Sequence, residues 1–140
     1  MAELTAGSLH LPDEEFVAEF ESCRLPAEHF HHADHVRLAW IYLGLMSEPQ
    51  AAARMAKSIQ RFAAHAGKPE KFHFTMTRAW IRLVAAAREI TPSAGSFIEF
   101  AAAHPHLLHK DWLLKHYSEE RLECPTSRAG WLEPDLIPLP

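Results

Sequence analysis

Between His29 and His35 four of seven residues are histidine, in the run His29-Phe30-His31-His32-Ala33-Asp34-His35. Further along, Phe72-His73-Phe74-Thr75-Met76-Thr77 sets another imidazole beside two hydroxyls. Imidazole is the most frequent metal-ligating side chain and the usual proton carrier near neutral pH. Eleven histidines in 140 residues therefore point first to a metal site.

A helix starting near His31 places residues three or four apart on one face. His32 and His35 then converge on one ion, with His31 and His35 as the rival pair. His31 and His32 diverge by about 100 degrees on a regular helix, so the two cannot both join His35. Asp34 suits the first turn, where the helix dipole favours an acid. His35 shares its face with Leu38, Ala39 and Tyr42, which turns it inward.

His73 supplies the third arm. In a helix it would share a face with Thr77, Trp80 and Val84, a mixture resembling the wall of a small-molecule pocket. Thr77 or Thr75 then orients a ligand or supports a histidine. The competing reading has these threonines bonding back to their own backbone. Tyr117 is the candidate acid or hydrogen-bond donor. The expected metal ligands are thus His32, His35 and His73, with Tyr117 and Thr77 as catalytic candidates. His104, His106, His109 and His116 read as caps and solvated faces, although one of them could complete the metal shell. Glu99 reads as a capping or surface residue.

Three neutral histidines suit one zinc, iron, nickel or copper ion. Zinc would acidify a water or polarise a carbonyl, and iron or copper could bind dioxygen. The expected function is a metal-dependent enzyme acting on a small molecule. The alternative is a non-catalytic metal-, haem- or ligand-binding protein, and a further one is a metal-free interaction protein. No repeated Glu-x-x-His pattern supports a di-iron bundle. No nucleophile motif, phosphate loop or dinucleotide fingerprint is present.

The elements that must hold these residues read as helices separated by proline or glycine. The first runs from about Asp13 to Cys23, and the second from near His31 to near Met46. Ser47 and Gln50 form a capping-box pattern for a third, which stops at Gly67. Pro69 sits in the first turn of a fourth that reaches about Glu89. A fifth starts near Ser93 or Ser96 and ends at His104. A sixth opens at Pro105 and reaches about Tyr117, and a short turn covers Glu119 to Leu122. The tail from Trp131 to Pro140 holds three prolines in its last seven residues and is read as an extended strap or a contact for another subunit. The fold expected is a single all-α bundle over residues 1–140, with the metal site inside it.

Bulk properties narrow the partners. The chain has a net charge of −4 with histidine neutral, which gives no footprint for nucleic acid or an anionic membrane. The N-terminus lacks the basic and apolar regions of a signal peptide, and no apolar run is long enough to span a membrane. Cys23 and Cys124 match no zinc-finger spacing and favour a reduced, cytoplasmic protein. A homodimer is compatible with the apolar tail.

Phe30-x-His32-x-x-His35, Phe72-His73-x-Thr75-x-Thr77, Leu113-Leu114-x-x-Tyr117-Ser118, Arg128 and Pro134-Asp135 together resemble an uncharacterised group of small, histidine-rich, all-helical bacterial proteins. The resemblance covers most of the chain and brings no activity with it. It favours His32 over His31 as ligand, because a capping hydroxyl often stands where His31 does. An acid often stands where Phe74 does, so this chain lacks one carboxylate. A looser similarity links it to the three-histidine zinc or nickel bundles related to DinB, whose spacing differs.

Overall fold

The computed structural model describes residues 8–140. The reading of the N-terminus as leader-free rests partly on residues 1–7, which lie outside the described residues. Helices α1 (Asp13–Glu21), α2 (His32–Leu45), α3 (Glu48–His65), α4 (Phe74–Ile90), α5 (Phe97–Ala103), α6 (Glu119–Glu123) and α7 (Pro125–Ala129) carry the fold. Short 3-10 turns occupy Ala27–His29, Pro69–Lys71, Pro105–Leu108 and Lys110–Lys115. The described residues contain no strand, so the expected all-helical bundle is what is found. None of their helices is long and apolar enough to cross a membrane.

Local chemistry sets the helix ends. Ser47 Oγ accepts from the Gln50 amide at 3.3 Å, and Gln50 Oε1 accepts from the Ser47 amide at 3.2 Å. These bonds answer two of the donors a helix start leaves open. Gly67, at φ +76°, turns the chain out of α3 in the left-handed region that glycine enters freely. Asp34 Oδ2 accepts from the His31 amide at 2.8 Å and starts α2.

Helices α2, α3 and α4 pack against one another at the centre, with α1 on α3, α5 beside α2 and α7 against α4. Their shared core includes Phe16, Phe20, Leu38, Tyr42, Met55, Ile81, Val84 and Phe100, all essentially inaccessible. Full burial of a side chain of this size contributes about 1.5–3 kcal/mol. Phe20 stacks on Phe30 at 4.6 Å and on Phe62 at 4.7 Å, which ties α1 and the entry to α2 onto α3.

Three elements differ from the sequence reading. The fourth helix starts at Phe74, not at Pro69. Pro69–Lys71 closes a separate turn, and His73 is extended, with φ −134° and ψ 111°. The continuous helix expected from Pro105 is two 3-10 turns broken at His109. The carbonyl of Leu107, just before the break, accepts from the His32 ring at 2.9 Å. The sequence reading also missed α7, whose signal is Pro125 in the first helical turn.

Candidate functional site

His32 and His35 lie in the first turns of α2, and their ring centroids are 6.3 Å apart. His32 Nε2 lies 2.9 Å from the carbonyl oxygen of Leu107. A carbonyl only accepts, so this nitrogen carries the hydrogen and Nδ1 holds the lone pair. The edge of the same ring meets Trp80 at 4.5 Å.

His35 sits beside Phe30, at 6.3 Å between centroids. The residue keeps some surface, but its Nε2 is enclosed and has no hydrogen-bond partner. An orphaned buried polar atom costs about 1–3 kcal/mol and calls for a missing partner. Burial pushes the His35 pKa down to about 3, with the neighbouring His32 adding to the shift. Burial also lowers His32, opposed by its bond to Leu107 and reinforced by Lys110 and His109. Both rings are therefore neutral near pH 7, which is the state a metal ligand needs.

His31 stands outside this pair. It is the cap residue of α2, its side chain is half-exposed, and its Nδ1 lies 3.6 Å from Asp34 Oδ2. His73 is engaged at both ring nitrogens. Nδ1 accepts from the Met76 amide at 3.1 Å and Nε2 donates to the Leu122 carbonyl at 2.6 Å. It caps α4 and ties that helix to α6, so it supplies no third lone pair beside His32 and His35. Burial is the main cause that lowers its pKa, followed in opposition by the bond to Leu122. Among the described residues, no group of three or more His, Cys, Asp or Glu is arranged to hold an ion.

The other candidates also have backbone partners. Thr77 Oγ1 donates to the His73 carbonyl at 2.7 Å, which is the back-bonding arrangement. Tyr117 is fully buried and its hydroxyl donates to the Leu132 carbonyl at 2.7 Å. Burial pushes the Tyr117 pKa up to about 12, so it keeps its proton at neutral pH. Thr75 Oγ1 donates to the Gly130 carbonyl at 2.6 Å and accepts from the Leu132 amide at 3.1 Å. Tyr117 and Thr75 together fasten the start of the tail.

The later histidines are mostly ties. His104 Nε2 lies 2.8 Å from Thr91 Oγ1. His116 Nδ1 donates to the Ile137 carbonyl at 2.8 Å. His106 packs on Trp112 at 4.6 Å, and His109 is exposed at the break between the two 3-10 turns.

A cavity of about 910 Å³ lies elsewhere, between α3, α4 and the tail. Thr77 lines it, as do Arg78, Arg82, Lys57 and Trp131, but neither His32 nor His35 does. The sequence reading missed this site. Its one local signal is the run of small residues at Ala52, Ala53 and Ala56, which leaves room along α3. The chain matches no family model, and no curated protein or solved structure matches it.

Proposed function

We propose that this chain is a metal-dependent enzyme that holds one zinc, iron, nickel or copper ion through His32 Nδ1 and His35 Nε2 and acts on a small molecule. The observation that carries the reading is the enclosed, unpartnered Nε2 of His35. His32 adds support, because metal-bound histidines commonly donate their other N–H to a carbonyl, as His32 does to Leu107. Two protein ligands leave coordination positions open for water or substrate. An ion held there would supply Lewis-acid chemistry on a carbonyl or a water, or, as iron or copper, dioxygen chemistry. The free thiols of Cys23 and Cys124 support a reduced, cytoplasmic setting. The outward-facing Leu136 and Ile137 support contact with a second copy.

Elemental analysis of untagged protein purified without chelator, together with its visible spectrum, tests the proposal. The expected result is about one transition-metal ion per chain. His32→Ala and His35→Ala lose it while far-UV circular dichroism stays helical. His73→Asn, which keeps a capping side chain, retains it. Less than about a tenth of an equivalent of every metal, before and after reconstitution, overturns the proposal. Non-catalytic ligand binding is the second reading, favoured by a cavity that lies away from the histidine pair.

A further inference from the structure

The cavity between α3, α4 and the tail has features that the histidine pair does not explain. Its volume of about 910 Å³ falls within the roughly 300–1,000 Å³ of small-molecule sites. The floor is apolar, made by Ala52 and Ala56 of α3, Ile81 of α4 and Leu139 of the tail. The tail wall is held in place. The bonds of Thr75 to Gly130 and Leu132 and of Tyr117 to Leu132 fix its start. Ser118 Oγ donates to Asp135 Oδ2 at 2.6 Å, and the Leu136 amide donates to the His116 carbonyl at 3.0 Å. A site built this way loses little freedom on binding.

Two cations without an ion pair point to the occupant. The lining holds three cationic side chains, Lys57, Arg78 and Arg82, with the side-chain carboxylates of Glu48 and Glu133 and the last residue, Pro140. Arg82 is paired with Glu48, and Glu133 accepts from the Trp131 indole N–H at 3.0 Å. Lys57 and Arg78 form no ion pair among the described residues. Arg78 lies over the Trp131 ring at 5.0 Å, and both residues line the cavity. A guanidinium matches a carboxylate with two parallel hydrogen bonds.

We infer that this cavity is a binding site for a small apolar monoanion, a carboxylate whose hydrocarbon body lies on the Ala52–Ala56 floor and whose charge meets Arg78 and Lys57. The inference stands apart from the proposed metal site, since the two share no residue. Decanoate is the probe, with decanol as its uncharged counterpart, and binding is read by calorimetry and by Trp131 fluorescence. One decanoate per chain is expected, with decanol at least about tenfold weaker, the cost of one charge-assisted contact. Arg78→Gln should weaken decanoate by about tenfold and leave decanol unchanged. Arg78 is exposed, so this change spares the fold. Ala56→Trp, which fills the floor, should abolish both. Metal-stripped protein should bind as well as untreated protein. No saturable decanoate binding overturns the inference, as does equal affinity for decanol or indifference to Arg78→Gln.

Discussion

Taking the metal-free protein from about pH 7 to about pH 4.5 is expected to cost roughly 2.5 kcal/mol of stability through His35 alone. Its ordinary pKa is 6.5, and burial holds it near 3 in the folded chain. Over that interval the unfolded chain takes up the proton and the folded chain does not. Stability is thus fully present above about pH 6.5 and is lost as the pH falls toward about 3. His32, His73, His104 and His106 shift in the same direction and add to the loss. Urea unfolding of chelator-treated protein at the two pH values measures the effect. His35→Leu should remove most of the His35 share. An unchanged pH dependence in that variant would refute the assignment.

Arg37→Met is expected to destabilise the chain by about 3 kcal/mol, the cost of leaving buried acceptors without their donor. The Arg37 side chain is 5% exposed and its guanidinium lies over Phe16 at 4.6 Å. It donates to the Ser8 carbonyl at 2.9 Å, to the Leu11 carbonyl at 2.7 Å and to Asp13 at 2.8 Å. Beside it the Ser8 hydroxyl donates to the buried carboxylate of Asp34. Removing the fork leaves these acceptors facing an apolar side chain. Arg37→Lys should recover only part of the loss, because an ammonium cannot reach the same acceptors in a plane. Arg24→Met is the control. Arg24 pairs with Glu19 at 2.6 Å but is 66% exposed, so its loss should cost less than about 1 kcal/mol. Equal effects at the two arginines would show that the buried clamp adds nothing.

What could be read from the sequence was local. Ser47, Gln50 and Gly67 lie within a few residues of the ends they define, and α3 falls where they place it. The inward turn of His35 follows from helical spacing to Leu38 and Tyr42, and the structure keeps it. The place of His73 at the cap of α4 was hidden because it depends on one amide three residues away and one carbonyl 49 residues away. The bond of His32 to Leu107 beside the break at His109 was hidden for the same reason, since it crosses 75 positions. Arg37 sits inside an apolar run, which hides a buried clamp whose acceptors come from another segment. The cavity was illegible because its walls come from α3, α4 and a tail whose register is set by Thr75 and Tyr117. Small residues on a helix face more often mark close packing than space.

The tail has a consequence for assembly. Pro134, Pro138 and Pro140 carry no amide hydrogen, and the amides of Leu132, Leu136 and Ile137 already donate within the chain. An extended segment usually offers neighbouring molecules a row of open donors and acceptors. This one interrupts that row at every few residues. A second copy that docks against Leu136 and Ile137 must therefore do so through side chains. The backbone of this segment therefore offers no continuous ladder along which strands of other chains could add.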